Sequence, residues 1–158
     1  MTGAKLSLVA TFVFAVFCVG APASPVDHYG VADLATTADA LKTKAAASGS
    51  ASITLAQYPN HRTMLSYRNK DGGGELHVKE ADIFYVVRGK AMLVTEGTLE
   101  GSHEESPGEL RGTKVAGGTT TALREGDVVH IPAGTTHQLL VAPGDEFLYF
   151  VVKIKEHD

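Results

Sequence analysis

Cysteine and tryptophan are almost missing from this sequence. Its 158 residues include a single cysteine, Cys18, and no tryptophan. One thiol cannot close an intramolecular disulfide, and it cannot form a zinc site built from several cysteines. The fold must therefore be held by a hydrophobic core, which a domain of this length can bury without covalent cross-links.

The sequence also lacks an excess of positive charge. Its 14 Lys and Arg residues are outnumbered by 18 Asp and Glu residues, which gives a formal net charge of −4. The two signs are interspersed along the chain. Surfaces that bind nucleic acid or anionic membranes are usually basic. The composition therefore argues against both kinds of partner.

Long apolar runs are confined to residues 6–19, which follow the basic Lys5. This run is short for a bilayer span, and the small residues "APA" at 21–23 suit a signal peptidase. We expect a signal peptide over residues 1–23, export to the periplasm or the medium, and no membrane contact after cleavage. An uncleaved membrane anchor is the alternative. Phe17, directly before Cys18, does not fit a lipoprotein cleavage site.

Residues 24–50 are expected to form a linker and one helix. Four apolar residues recur there at helical spacing among good helix formers, namely Val31, Leu34, Ala38 and Leu41. The segment "SGSAS" at 48–52 is rich in glycine and serine and ends the pattern. The helix is expected to pack on the outside of the domain that follows.

Residues 51–158 change character and predict an all-β domain. Short segments rich in β-branched and aromatic residues lie between turn-forming residues. They cover 52–58, 62–68, 81–88, 91–96, 119–125, 127–132, 137–142 and 147–154. "RG" at 88–89 is among the dipeptides expected to form turns. Regularly spaced strands without intervening helices are typical of a barrel or a two-sheet sandwich.

The polar stretch 97–118 interrupts this pattern of strands. It is acidic in its first half and contains several glycines. We expect a long excursion between the two halves of the sheet, with at most a short strand at its end. Glu104, Glu105 and Glu109 are expected on a solvated face of this loop.

The stretch "GELHVKEAD" at 74–82 carries charge directly into a segment that is expected to be buried. Glu75 and His77 are two residues apart and share one face of a strand. A tight turn through residues 79–80 would place Asp82 beside His77, across a hairpin. Buried charge is costly unless it is paired, and a bound metal ion would pair it.

The second half of the chain supplies another imidazole at the head of an apolar strand. His137 follows a turn at Pro132 and Gly134 and precedes Leu139 on the same face. Two imidazoles and a carboxylate on rigid strands are a donor set that suits first-row divalent metals.

These residues resemble the two motifs of the cupin superfamily. The second motif, G-x5-P-x-G-x2-H-x3-N, is matched by Gly126, Pro132, Gly134 and His137 at the required spacings. Val141 replaces the final Asn. The resemblance extends over residues 53–155.

The first motif, G-x5-H-x-H-x(3,4)-E-x6-G, is matched only in outline. Glu75, His77, Asp82 and Gly89 occupy the positions of His, His, Glu and Gly, and Asn69 replaces the leading Gly. Glu75 thus stands in place of a metal-binding His, and Asp82 in place of the usual Glu.

The resemblance implies a double-stranded β-helix, the cupin or jelly-roll barrel, often as a homodimer. It also implies a divalent metal, Fe, Mn or Zn, held by His77, His137 and Asp82, with Glu75 as a possible fourth ligand. The metal would act on a small organic substrate in the barrel, as in a metal-dependent oxygenase, isomerase or lyase. The alternative is a non-catalytic periplasmic binding or sensing module in which these residues satisfy one another.

Other side chains have less specific roles in this interpretation. His130 is expected to be a structural group or to support a metal ligand, and His61 to be a surface histidine. Four residues are expected in the core or lining the pocket, namely Met64, Tyr67, Phe84 and Tyr149. Three arginines can hold an anionic substrate or lie at solvated sheet edges, namely Arg62, Arg68 and Arg88.

Overall fold

One helix and twelve strands make up residues 26–156, the part of the chain that this computed structural model describes. The expected signal peptide lies outside the described residues. The elements are α1 (Val31–Lys44), β1 (Ser50–Gln57), β2 (His61–Arg68), β3 (Gly74–His77), β4 (Glu80–Thr95), β5 (Thr98–Glu100), β6 (His103–Ser106), β7 (Glu109–Gly112), β8 (Lys114–Ala116), β9 (Thr119–Arg124), β10 (Val128–Ile131), β11 (His137–Leu140) and β12 (Phe147–Lys155). The prediction of a mostly β domain with an N-terminal helix is confirmed.

The strands form two antiparallel sheets that share β4 and enclose a common interior. In the first sheet the order is β1-β2-β12-β4-β10. In the second sheet the order is β9-β4-β11-β3-β7-β6. Strands β5 and β8 form a separate small sheet. Neighbours in space are often distant in sequence, so both halves of the chain contribute to each sheet.

The long strand β4 passes from one sheet to the other without a turn. Gly89 lies where its two halves meet and has a φ of +85°, and the register against β12 shifts beside it. A Cβ at Gly89 would collide with the carbonyl oxygen of Glu146. A glycine of this kind can bend a strand as well as reverse it. The prediction of a turn at 88–89 is therefore wrong.

An apolar core fills much of the space between the sheets. It consists of inward side chains from five strands and their flanking loops, namely Phe84, Val86, Ala91, Leu93, Leu123, Ile131, Leu139, Val141, Phe147, Tyr149 and Val151. Phe84 and Tyr149 meet edge to face, with ring centroids 5.0 Å apart. This close packing makes the interior rigid, so polar side chains next to the core can be held in fixed positions.

A second apolar cluster fixes α1 to the outer face of the first sheet. Its members are Ala38, Leu41, Ala45, Leu65, Tyr67 and Leu148. Val31, the first of the four apolar residues at helical spacing, is 88% exposed and does not belong to the packed face of the helix. Val31 fits the helical spacing, but it is the first residue of the helix, and the residues that pack against the sheet come after it. Within residues 26–156, no helix is long and apolar enough to cross a membrane.

The excursion expected over residues 97–118 contains four short strands, β5 to β8. Strand β7 pairs with β3 and extends the second sheet. The expectation of at most one short strand, at the end of this segment, is therefore wrong; it rested on the polar, glycine-containing sequence. Pairing with β3 supplies the backbone hydrogen bonds that make β7 a strand, and a polar sequence can make those bonds too.

Candidate metal centre

The strands that carry the core also carry a polar site at one end of the interior. On β11, His137 lies two residues before the core residue Leu139. On β12, Lys153 lies two residues after the core residue Val151. On β4, Asp82 lies two residues before the core residue Phe84. Because side chains two residues apart share a face, each polar group points into the same interior as the core residue beside it.

Strand register places the predicted ligands next to one another. His137 on β11 lies opposite Glu75 on β3. Asp82 on β4 reaches the site from the other sheet, where it lies opposite Lys153. Asp82 and His77 therefore meet across the interior, and the expectation that they face each other across a hairpin is wrong. The segment between them crosses from one sheet to the other.

Four donor groups converge at this point. One carboxylate oxygen of Glu75 and one ring nitrogen each of His77 and His137 lie within 4.8 Å of one another. Oδ2 of Asp82 lies 3.4 Å from Nε2 of His77 and 3.8 Å from Nε2 of His137. His77, Asp82 and His137 are almost fully buried, and the Glu75 side chain is partly exposed.

The two imidazoles are held so that Nε2 faces the shared centre. Nδ1 of His77 lies 2.6 Å from Oε2 of Glu109, and Nδ1 of His137 lies 3.1 Å from the carbonyl oxygen of Thr135. Both partners are acceptors, so we assign the ring proton to Nδ1 in each case. The lone pair on each Nε2 then points at the centre, an arrangement typical of metal-binding histidines.

Lys153 is a residue of this site that the sequence interpretation missed, and Arg111 is another. Nζ of Lys153 donates to Oδ1 and Oδ2 of Asp82 at 2.6 and 2.9 Å, and it lies 2.7 Å from Nε2 of His77. The side chain is only 12% exposed. Alternation with Tyr149 and Val151 along β12 was the signal that could have revealed an inward lysine.

Glu109 corrects a second expectation. It was expected on a solvated loop face, but it lies on β7 opposite His77 and is 21% exposed. Glu104 and Glu105 do lie on the exposed side of the segment. No sequence signal separated Glu109 from these two, because its position depends on the pairing of β7 with β3.

Burial and charge set the protonation of the candidate ligands. Burial tends to raise the pKa of the Asp82 carboxyl, but the contacts with His77 and Lys153 outweigh it and hold the pKa at about 2. Burial lowers the pKa of His137, against the opposing influence of the Thr135 carbonyl. A charged Asp82 and a neutral His137 are the states that bind a cation.

Arginines surround the carboxylates of the site. Arg68 contacts Oε1 of Glu75 at 3.2 Å, and its Nε donates to the Tyr149 hydroxyl at 3.3 Å. Arg111 donates to Glu109 at 3.1 Å. Arg88 instead pairs with Glu146, and its side chain is 43% exposed.

A cavity of about 250 Å³ opens beside the converging donors. Its wall includes the candidate ligands Glu75, Asp82 and His137, and also Lys153. The remaining lining includes three residues that were expected in the core or the pocket, namely Met64, Phe84 and Tyr149. The fourth, Tyr67, belongs to the cluster under α1.

His130 and His61 lie apart from the converging donors. The His130 side chain is 57% exposed and lies 3.9 Å from Glu156, so the expectation that it supports a ligand is wrong. Its strand alternation could not be fixed from the sequence, and the structure turns it outward. His61 begins β2, stacks on Tyr58 and contacts Asn60.

The donor set fits a divalent metal ion. Ligand atoms about 2.1 Å from one ion lie roughly 3 to 4 Å from each other. The distances from Oδ2 of Asp82 to the two Nε2 atoms, 3.4 and 3.8 Å, are in this range. Two neutral nitrogens and two carboxylates also have the chemistry that Fe, Mn and Zn accept.

Solved structures with the same architecture include enzymes. No protein-family model matches the chain, and no curated protein matches it in sequence. KdgF from Halomonas sp. is 19% identical, with a TM-score of 0.50 over 70% of this chain and 83% of that one. A double-stranded β-helix protein from Klebsiella pneumoniae is 12% identical, with a TM-score of 0.51 over 71% and 82%.

A third similar structure is the DMSP lyase DddQ from Ruegeria pomeroyi. It is 16% identical, with a TM-score of 0.50, and the match covers 69% of this chain and 48% of the lyase. At these identities the comparisons show the fold. The chain has the double-stranded β-helix fold of cupins, as its motifs predicted.

Proposed function

We propose that this chain is a metal-dependent cupin that acts on a small organic substrate in the barrel cavity. The observation that carries the proposal is the convergence of one ring nitrogen each of His77 and His137 and a Glu75 oxygen within 4.8 Å of one another. His77, His137 and Glu75 would hold the ion together with Asp82. Each imidazole already has an acceptor at Nδ1, as a ligand histidine needs.

The bound ion would supply Lewis-acid polarisation of a substrate oxygen or activation of a bound water. Fe, Mn and Zn all suit the donor set. The reaction class is that of an oxygenase, an isomerase or a lyase. The solved structures that share the fold include the lyase described above and a putative mannose-6-phosphate isomerase from Ralstonia eutropha. Fold alone does not choose among these reactions.

The residues around the cavity favour a small anionic substrate. Four cations line the cavity, namely Arg62, Arg68, Arg111 and Lys153. They face the carboxylates of Glu75, Asp82 and Glu109, and Arg62 is paired with a fourth carboxylate, that of Glu80. These charges cancel, so a divalent ion would leave the site positive by two charges. An anion such as a carboxylate would restore the balance, and a guanidinium can bind it through two parallel hydrogen bonds. A cavity of about 250 Å³ fits only a small molecule.

Metal content tests the proposal directly. The protein is purified without chelator, and bound metals are measured by mass spectrometry for the unmodified chain, His77→Ala, His137→Ala and the control His130→Ala. His130 is an exposed histidine outside the cavity. We expect stoichiometric metal in the unmodified chain and in the control, and loss of metal in the other two variants. A metal-free unmodified protein would contradict the proposal.

The second candidate function is a non-catalytic binding or sensing module. The observation that favours it is the position of Lys153, whose ammonium neutralises Asp82 and contacts Nε2 of His77. Such a site is satisfied without a metal. A thermal melt with and without chelator separates the two functions, because removal of a resident metal lowers Tm and a metal-free module melts unchanged.

Export and homodimer formation also belong to the proposal. Export is supported by the apolar run at 6–19 and the small residues at 21–23. N-terminal sequencing of the protein from the periplasm or the medium should place the first mature residue at Ser24. Recovery of the intact chain from the cytoplasm would contradict export. Light scattering during size-exclusion chromatography measures whether the mature chain is a dimer.

A further inference from the structure

All three donor hydrogens of the Lys153 ammonium have an acceptor within the candidate metal centre. Two contacts go to the oxygens of Asp82, at 2.6 and 2.9 Å, and the third goes to Nε2 of His77, at 2.7 Å. Lys153 and Asp82 also lie directly opposite each other on neighbouring strands. A lysine that is 12% exposed is costly to keep charged unless its hydrogens are all bonded, and here they are.

The contact between Lys153 and His77 determines whether a metal ion can bind Nε2 of His77 at the same time. A neutral imidazole has one lone pair, on the nitrogen that does not carry the proton. The Glu109 carboxylate at Nδ1 leaves that lone pair on Nε2, and the Lys153 ammonium lies 2.7 Å from it. An ion bound to Nε2 would need the same lone pair. The ammonium and a metal ligated by His77 therefore exclude each other.

We propose that Lys153 is a built-in cation that competes with the divalent metal for the position between His77 and Asp82. The inference rests on the proposed function, because it concerns the same site. In the metal-free protein the ammonium keeps Asp82 neutralised and His77 oriented. Metal binding breaks the Lys153 contacts and releases the ammonium toward the cavity, on whose wall the side chain lies.

Removal of this competitor should strengthen metal binding. Isothermal titration of manganese(II) or zinc(II) chloride into chelator-stripped protein compares the unmodified chain with Lys153→Met, which keeps an unbranched apolar side chain. The metal no longer has to displace hydrogen bonds between charged groups, so we expect affinity roughly ten- to hundredfold higher in Lys153→Met. The control is Lys90→Met, an exposed lysine paired with Asp145, which should bind metal as the unmodified chain does.

The possible results separate this inference from the proposed function. If the unmodified chain binds metal and Lys153→Met binds it no more tightly, competition is wrong and the proposed function stands. If only Lys153→Met binds metal, competition is supported and the unmodified chain is not a metalloprotein. If neither binds metal, both proposals are wrong.

A second measurement needs no variant. The amine reagent acetic anhydride is applied to the unmodified protein with and without saturating manganese(II), and acetylation of Lys153 and Lys90 is quantified by peptide mass spectrometry. Metal should raise acetylation of Lys153 several-fold, because the ammonium loses its ion pair, and leave Lys90 unchanged. Equal labelling of Lys153 with and without metal, under conditions where binding is saturated, would overturn the inference even if Lys153→Met did not fold.

Discussion

Oε2 of Glu109 lies 2.6 Å from Nδ1 of His77, on the side of the ring opposite the candidate metal centre. Glu109 and His77 are also cross-strand neighbours on β7 and β3. A carboxylate in this position fixes the tautomer of the imidazole and increases the basicity of Nε2. Glu109 is therefore a positioning residue that acts through His77.

Replacement of Glu109 by alanine should weaken metal binding about 10- to 100-fold, the range measured when such partners are removed from ligand histidines. Calorimetric titration with zinc(II) chloride measures the change. The matched control is Glu105→Ala, since Glu105 also contacts Arg111 but is 60% exposed and lies outside the His77 contact. Equal affinities for the two variants would show that the carboxylate at Nδ1 has no such role.

The site residues of β3, β4 and β11 are the ones that the sequence could predict. Period-two alternation placed Glu75 with His77, and the second cupin motif marked His137 at the head of an apolar strand. The structure brings these residues together with Asp82. Local alternation and motif spacing suffice here because each side chain follows the face of its own strand.

Lys153 and Glu109 could not be predicted in the same way. Glu109 enters the site because β7 pairs with β3, and a polar strand shows no apolar alternation that would reveal the pairing. Lys153 continues the inward face of an apolar strand, but lysines near the ends of strands usually reach solvent. Its acceptors come from residues 71 and 76 positions away in the chain. Such long-range contacts depend on which strands pair in the sheet, and no single segment of the sequence reveals them.

Gly89→Ala should destabilise the fold more than an ordinary substitution of a turn glycine. The new Cβ would collide with the Glu146 carbonyl, and the positive φ adds a further cost. We expect a loss of roughly 3 kcal/mol or more in the free energy of unfolding. The control is Gly144→Ala, which has a φ of +87° but no heavy atom within 4 Å of the added Cβ. It should lose only about 1–2 kcal/mol.

Urea unfolding followed by circular dichroism measures both glycine variants. Both variants carry the cost of the left-handed backbone, so the difference between their losses of unfolding free energy measures the collision at Gly89 alone. Losses of the same size in Gly89→Ala and Gly144→Ala would show that β4 relaxes around the added methyl group and that the bend does not depend on the close approach.

The ion pair between Glu80 and Arg62, a residue of the cavity wall, should contribute more than an exposed pair. Its two hydrogen bonds are both 2.7 Å long, and the side chains are 26% and 14% exposed. A double-mutant cycle with Arg62→Met and Glu80→Gln should give a coupling energy of about 1–2 kcal/mol.

The control cycle removes the pair between Lys42 and Glu146, in which Lys42 is 57% exposed. Exposed pairs of this kind contribute little, because water and salt screen them. Chemical denaturation provides the four free energies of each cycle. A coupling energy for Arg62 and Glu80 no larger than that of the control would mean that solvent screens this partly buried pair as strongly as the exposed one.

The Tyr149 hydroxyl predicts how the fold responds to alkaline pH. Burial raises the pKa of this phenol, and the contact with Arg68 lowers it only in part. A raised folded-state pKa stabilises the protein fully below the unfolded value of about 10, and this contribution is lost as pH rises toward the folded value. The free energy of unfolding should therefore fall with pH above about 10, and it should fall less steeply in Tyr149→Phe. Denaturant unfolding at several alkaline pH values measures the slopes, and parallel slopes would show that the phenol does not stay neutral in the folded barrel.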